Sequence, residues 1–340
     1  MSAKIAVVGA GSWGTALATV LDGKGIKLNL WIREEDLLEV VKDTRENTMY
    51  LPGVKLGGNI NPMGDMEECI SGCETVIFSV PSHVVRDVAG SIAPSIQRSQ
   101  RIVNVAKGLD TGTLKRLSQV LQEALPDNKV AVMSGPSHAE EVGKGIPTTV
   151  VAASPDREMA EYVQNLFMAP AFRVYTNPDI TGVEMGGALK NVIALGAGIS
   201  DGLGYGDNTK AALMTRGIVE IARLGVKMGA KAATFAGLSG IGDLIVTCTS
   251  MHSRNRRAGI QIGQGKTLEE VLGGTHMVVE GVKSTQAAYE LSVLHGIEMP
   301  ITRELYNVLF EGADVRKSVE NLMLRSKTHE TEEIVEGWQV

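Results

Sequence analysis

Apolar positions in the first half of the chain fall into short β-rich runs with helical stretches between them. Runs at 5–8, 28–32, 75–80, 102–105, 130–133, 148–152 and 172–175 are strand candidates. Several are apolar without alternation, the pattern of parallel strands covered on both faces. Stretches 13–22, 83–96 and 114–125 carry the helical period instead. Strand and helix alternating at this pitch predict a doubly wound α/β domain.

Beyond Thr181 the β-rich runs stop, and Ala, Leu, Met and Lys recur at helical spacing. Thr181 and Glu184 match a capping box, which predicts a helix start there. That helix runs through Met185, Leu189 and Ile193 and crosses Gly186 and Gly187. A glycine inside a helix costs about 1 kcal/mol relative to Ala, so the pair predicts that another helix or a ligand packs closely there. The turn Asn177-Pro178-Asp179 sets the expected boundary between a sheet domain, 1–180, and an all-helical domain, 181–340.

Composition narrows the class. A chain of 340 residues exceeds one ordinary core. Its 44% hydrophobic and 21% charged residues fit a folded globular protein. A net charge of −6 and a pI near 5.6 argue against a general nucleic-acid or membrane-surface binder, which needs a large basic face. No apolar run reaches the ~18 residues of a membrane-spanning helix. The short apolar start after Lys4 meets a glycine turn with no cleavage-type site, so no signal peptide is expected. Three cysteines, Cys69, Cys73 and Cys248, give no disulfide framework and suit a reducing compartment. Cys69 and Cys73 lie four apart on a helical stretch, but no nearby His or Cys completes a ligand set, so no metal is expected. The expectation is a soluble, cytoplasmic protein.

Its clearest chemistry lies at the end of the first strand: Gly9-Ala10-Gly11-Ser12-Trp13-Gly14, a G-x-G-x-x-G. Gly9 allows the tight turn, Gly11 lets backbone approach a pyrophosphate, and Gly14 lets the helix pack on the strand. The pattern alone is weak and can be a structural glycine turn. Here it follows a strand and opens a helix, which makes it a dinucleotide fingerprint. The second strand ends in Trp31-Ile32-Arg33-Glu34-Glu35. Arg33 suits a 2′-phosphate where an NAD-selective site carries Asp or Glu, so NADPH is favoured and NADH is the second cofactor. An ordinary surface arginine is the alternative.

Four segments hold polar residues that structure alone does not demand. Lys107 follows a strand at the end of the sheet where such folds bind ligands, or is a solvated loop lysine. Ser134 to Glu141 also follows a strand; Ser137 can cap the next helix, and exposed N–H groups beside it can hold an oxyanion. Lys190 and Asn191 sit among Gly, Ala, Leu, Val and Ile. Burial lowers a lysine's pKa and suits it to proton transfer, unless the side chain snorkels to water. Asp243 and Thr247 share a helical face, and Arg254, Arg256 and Arg257 concentrate positive charge that suits a phosphate or is a solvated basic loop.

Together these segments resemble the bacterial-type NAD(P)-dependent glycerol-3-phosphate dehydrogenases. The match lies in Gly9 to Gly14, Val80-Pro81-Ser82, Ala106-Lys107-Gly108, Ser134-Gly135-Pro136-Ser137, Gly187-Ala188-Leu189-Lys190-Asn191, Gly242-Asp243-Leu244, Ser253-Arg254-Asn255 and Val279-Glu280-Gly281. Eight motifs in family order, from residue 5 to about 285, make the resemblance specific. It implies a Rossmann domain followed by a helical one. It also implies reversible reduction of dihydroxyacetone phosphate to sn-glycerol 3-phosphate, a role in glycerophospholipid synthesis, and a homodimer.

The resemblance implies roles residue by residue. Lys190 is the proton donor or acceptor. Lys107, Gly135, Ser137, Lys190, Asn191, Asp243, Thr247, Ser253, Arg254 and Asn255 hold the substrate. Gly9, Gly11, Ser12, Trp13, Gly14, Arg33, Tyr50, Lys107, Ala139, Arg254 and Glu280 hold the dinucleotide. Gly202 to Gly206 is a flexible stretch with no assigned role, and the last ~15 residues are expected to fray. The competing readings are another two-domain dehydrogenase (6-phosphogluconate, 3-hydroxyacyl-CoA or ketopantoate type) and a catalytically silent dinucleotide sensor. The first lacks these lysine and arginine motifs, and the second needs neither.

Overall fold

The structure is a computed structural model and describes residues 4–274, 278–327 and 330. Eight strands form one sheet: β1 (Ile5–Val8), β2 (Leu28–Trp31), β3 (Ile60–Met63), β4 (Thr75–Phe78), β5 (Arg101–Asn104), β6 (Val130–Ser134), β7 (Thr148–Ala153) and β8 (Phe172–Asn177). Their order is β3-β2-β1-β4-β5-β6-β7-β8. The order reverses between β1 and β4, which opens a crevice beyond the carboxyl ends of the strands, where doubly wound folds place ligands.

All seven expected strands are present, and β3 is an addition. Its sequence, Ile-Asn-Pro-Met, lacks β-rich character, and Pro62 donates no ladder hydrogen bond; an edge strand tolerates both. One pairing departs from a purely parallel sheet: β7 runs antiparallel to β6 and parallel to β8. The connection from Ser134 to Thr148 contains only the short helix Ala139–Gly143 and does not return the chain along the length of the sheet.

From Ile180 onward the regular elements are helices. The first, Ile180–Gly202, is the central element, buried along nearly its whole length. Its cap corrects the expectation. Asp179 Oδ1 accepts from Gly182 N at 2.9 Å, while Thr181 and Glu184 lie inside the helix. Asp179 stands two residues earlier than Thr181 and also accepts from Lys231 N and Thr234 Oγ1, so tertiary bonds fix the cap there.

The glycines in this helix answer the packing question. A Cβ on Gly186 would meet Ser239 O at 2.4 Å, and one on Gly198 would meet Arg256 O at 2.0 Å. Backbone therefore touches backbone, which seats the helix Arg254–Gly263 against the central helix. Gly202, expected to be flexible, packs the same way onto that helix, against Ile260 O. The apolar stretch Ala232–Thr249 has the length and hydropathy of a membrane span, contrary to the expectation that no run reaches it. It is bent at Gly240 and contains the buried Asp243. Residues 326–340, expected to fray, lie outside the described residues except for 326, 327 and 330.

Candidate active site

The glycine turn has the geometry its sequence demands. Gly9 has φ of +112°, and a Cβ there would meet Ser79 O at 2.8 Å; a Cβ on Gly14 would meet Gly9 O at 2.0 Å. Gly11 differs, because a Cβ there meets no atom within 4 Å. It precedes the helix Ser12–Gly23, whose N-terminus carries no side-chain cap. Open space above Gly11 and unsatisfied N–H groups at a helix start fit the pyrophosphate of a dinucleotide. Asn47, which sequence reasoning missed, pins the turn: its Nδ2 donates to Ala10 O at 2.7 Å and to Thr15 Oγ1 at 2.9 Å. An isolated Asn gives no sequence signal for such a bond.

Other predicted cofactor residues surround this turn. Ala139 is buried in the short helix that packs on Ser12–Gly23. Trp13 is tilted against Phe172, with centroids 6.4 Å apart, and its buried Nε1 has no hydrogen-bond partner among the described residues. Arg33 is mostly exposed and pairs with Glu34 at 2.9 Å; the same Glu34 carboxylate accepts from Tyr50 Oη at 3.1 Å. Glu280 reaches from the helical half to the loop after β4, where it accepts from Ser82 N at 3.1 Å and from Ser82 Oγ at 2.6 Å. Ser82 belongs to the Val80-Pro81-Ser82 motif but had been given no role.

Lys107, Gly135, Ser137, Lys190, Asp243 and Thr247 meet in one hydrogen-bonded cluster. Lys107 Nζ donates to Gly135 O at 2.8 Å, Ser137 Oγ at 3.1 Å and Asp243 Oδ2 at 2.9 Å. Lys190 Nζ donates to the other carboxylate oxygen, Oδ1, at 2.5 Å and to Thr247 Oγ1 at 2.7 Å. Asp243 is 1% exposed and Lys190 6%. Lys190 therefore does not snorkel. Burial pulls its pKa down from 10.5 to about 8, and Lys107 pushes the same way, while Asp243 pulls it back up. Burial opposes ionisation of Asp243, but Lys107 and Lys190 outweigh it and hold the carboxyl below its usual range. One carboxylate thus bridges two ammonium groups.

Ser137 corrects a second expectation. It does not cap the helix Ala139–Gly143; its hydroxyl donates to Gly135 O at 2.8 Å, where Lys107 also binds. Ser253 does cap, accepting from Arg256 N at 3.2 Å. Asn255 is bonded at both ends of its amide, to Asn191 Oδ1 and from Gly281 N, each at 2.8 Å. Among the described residues, the Arg254 guanidinium makes no hydrogen bond or ion pair. It remains exposed to solvent although protein crowds around it, as for a residue lining an open cleft. That crowding lowers its pKa, while Glu280 and Glu140 pull it upward. Arg256 and Arg257 are engaged elsewhere: Arg256 with Asp201 at 2.8 Å, Arg257 with Met251 O at 2.8 Å.

A separate apolar cavity of about 480 Å³ lies between the central helix, Asp207–Lys227, Pro300–Phe310 and Val315–Met323; none of the predicted site residues lines it. Among the described residues no cluster of His, Cys, Asp and Glu could hold a metal. Cys69 and Cys73 are buried, and burial raises both thiols.

Family models match both halves of this arrangement. NAD-dependent glycerol-3-phosphate dehydrogenase N-terminus covers residues 4–160, and the corresponding C-terminus covers 179–320. The chain belongs to the NAD-dependent glycerol-3-phosphate dehydrogenase family. It is an oxidoreductase dependent on NAD(P). A glycerol-3-phosphate dehydrogenase (NAD(P)+) of Moorella thermoacetica is 61% identical over 332 residues, 98% of this chain and 99% of that one. The Bacillus subtilis protein of the same name is 52% identical, covering 99% and 98%. The crystal structure of glycerol-3-phosphate dehydrogenase from Coxiella burnetii superposes with a TM-score of 0.92 at 38% identity, covering 94% of this chain and 98% of that one. A ketopantoate reductase from Ralstonia eutropha reaches a TM-score of 0.60 at 16% identity and shares the fold alone.

Proposed function

We propose that this enzyme reduces dihydroxyacetone phosphate to sn-glycerol 3-phosphate, reversibly, with Lys190 as the group that gives and takes the proton. The observation that carries this reading is the buried bridge Lys107–Asp243–Lys190. The bound dinucleotide supplies the hydride for reduction, or accepts it in the reverse direction. Residues 1–180 hold that dinucleotide and residues 181–340 bring most of the substrate groups.

The residues divide the work. Arg254, exposed in the cleft, takes the substrate phosphate, as a planar guanidinium does well. Asn255 is held at both ends, orients that corner of the site, and has one N–H left for the substrate. Lys190 donates a proton to the carbonyl oxygen as negative charge develops there, and Lys107 adds positive charge beside it. A pKa of about 8 leaves both forms of Lys190 populated near neutral pH, so the same amine serves reduction and oxidation. Asp243 holds both lysines in place and stays ionised.

Arg33 at the end of β2 supports a preference for NADPH over NADH, because its guanidinium is exposed where a 2′-phosphate lies in doubly wound folds. Three buried thiols support a reducing, cytoplasmic setting. Family membership supports a homodimer and a place in glycerophospholipid synthesis. The test is absorbance decay at the reduced-nicotinamide band with dihydroxyacetone phosphate, run with NADPH and NADH in parallel. Turnover with either supports the reaction, and a higher kcat/KM with NADPH supports the reading of Arg33. Tight dinucleotide binding without turnover overturns the substrate.

A further inference from the structure

The central helix raises a positional problem. It is apolar and buried on nearly every side, and its glycines bring neighbouring backbone into direct contact. Its bonds through Asp179 to Lys231 and Thr234, and through Asn191 to Asn255, tie it to the helical half, and its apolar contacts with the sheet half are non-directional. Yet its Lys190 must sit at hydrogen-bond distance from Asp243 and beside Lys107, which belongs to another part of the chain.

Glu184 supplies the missing direction. It lies on the same helix, about 9 Å before Lys190 along the axis at 1.5 Å per residue, and is 8% exposed. Its carboxylate makes three bonds: Arg116 Nη1 donates to Oε2 at 2.7 Å, Ser118 N to Oε1 at 2.8 Å and Ser118 Oγ to Oε2 at 2.5 Å. Arg116 and Ser118 sit where the chain emerging from β5 enters the helix Leu117–Ala124. Lys107 lies on that same connection. A backbone bridge between Leu109 and Arg116, with Asp110 N donating to Lys115 O at 2.9 Å, closes the loop on itself. Lys107 and the Arg116–Ser118 pair are therefore two points on one stiff segment, while Lys190 and Glu184 are two points on one helix. Between them, Gly187 packs against Ser134 at the end of β6, where a Cβ would meet Ser134 Oγ at 2.4 Å, and Lys107 Cγ lies at ordinary contact distance, 3.7 Å.

We propose that Glu184 is a positioning residue for this active site: bound to Arg116 and Ser118, it fixes the distance between the Lys190 and Lys107 ammonium groups. This rests on the reading of Lys190 as proton donor. The groups that face Lys190 are Asp243 and Thr247 at bonding distance, with Lys107, His138 and Cys248 close enough to interact. Loss of the clamp loosens the segment carrying Lys107 against the central helix and weakens the bonds of its ammonium to Gly135 O, Ser137 Oγ and Asp243 Oδ2, while the 2.5 Å bond to Asp243 and the 2.7 Å bond to Thr247 keep Lys190 on its carboxylate. Repulsion from Lys107 then weakens and attraction to Asp243 remains, so the proton affinity of Lys190 rises.

The test is the pH profile of kcat/KM for dihydroxyacetone phosphate reduction, which reports groups of the enzyme before substrate binds, at saturating dinucleotide, in Glu184→Ala and Glu184→Gln, with thermal unfolding followed alongside. The native profile falls as pH rises through about 8, where Lys190 loses its proton. In Glu184→Ala that midpoint moves up by half a unit or more, with kcat/KM reduced about tenfold and dinucleotide affinity unchanged. Glu184→Gln keeps the shape and part of the bonding, and gives a smaller shift in the same direction if Glu184→Ala fails to fold. A midpoint that stays put or moves down, whatever the loss of thermal stability, overturns the proposal and leaves Glu184 a packing residue. A Lys190→Met enzyme that retains activity with the native midpoint would overturn the proton-donor reading itself, a separate result.

Discussion

Replacing Lys190 by Met sets stability against activity. In the folded protein the ammonium's pKa is held near 8, against 10.5 for a free lysine, a difference worth about 3 kcal/mol at 1.36 kcal/mol per pH unit. Because the folded-state pKa lies below the unfolded one, the unfolded chain binds more protons between these values. The penalty is therefore full below about pH 8 and fades as pH rises toward 10.5. Stranding one partner of a buried ion pair ordinarily costs about 3–5 kcal/mol. Here Asp243 is not stranded, because Lys107 remains 2.9 Å from its other oxygen. The expected balance is that Lys190→Met unfolds no earlier than the native enzyme at pH 7, and up to a few degrees later. Its advantage shrinks as pH rises from 8 to 10 and the native lysine loses its proton. Turnover falls by about 10²–10⁴, the usual worth of a general acid, while calorimetry shows dinucleotide binding nearly intact. Thermal unfolding of both proteins from pH 7 to 10 decides the matter. A variant that melts several degrees early at pH 7, with a gap that does not change with pH, refutes the account of a strained, functionally retained ammonium.

The glycine turn separates function from fold. Gly11→Val should leave thermal stability within about 1 kcal/mol, since nothing stands within 4 Å of the new Cβ, yet abolish dinucleotide binding by calorimetry. Gly14→Ala should destabilise strongly, because its Cβ would sit 2.0 Å from Gly9 O. Arg33→Ala should raise KM for NADPH about tenfold, the worth of one exposed charged hydrogen bond, and leave KM for NADH nearly unchanged; equal effects on both would remove Arg33 from cofactor choice. Arg254→Ala should raise KM for dihydroxyacetone phosphate by about 10–100-fold, as loss of a charge-assisted phosphate contact does. An unchanged KM would place the phosphate elsewhere.

Features set by local backbone demands were legible in the sequence. Gly9, Gly11 and Gly14 needed no long-range information, since a positive φ, an open approach and a backbone contact each select glycine at a fixed offset. Seven strands were legible because the apolar runs of a covered sheet are unambiguous when helical stretches separate them. β3 was not, because an edge strand is spared the burial that writes such a run, and Pro62 disguises it further. The helix start at 180 was read from the wrong residues. Thr181 and Glu184 have capping-box spacing, but Asp179 takes the cap and Glu184 serves a partner 68 positions away.

That last exchange shows why the site residues were easier to name than to connect. Lys190 looked unusual from its apolar surroundings alone, but the same surroundings suit a lysine that snorkels to water. What distinguishes the two is Asp243, 53 positions along the chain and itself held by Lys107 from 136 positions away. Neither separation follows a helical or strand period, so no local pattern encodes the bridge. The family resemblance implied that these residues share one substrate site, and only the folded geometry shows that a single carboxylate joins both lysines. The chemical argument turns on that point. An isolated buried lysine would lose its proton and leave the developing alkoxide without a donor. Two lysines sharing one aspartate keep a net positive charge where negative charge must form, and hold one proton near its balance point at physiological pH.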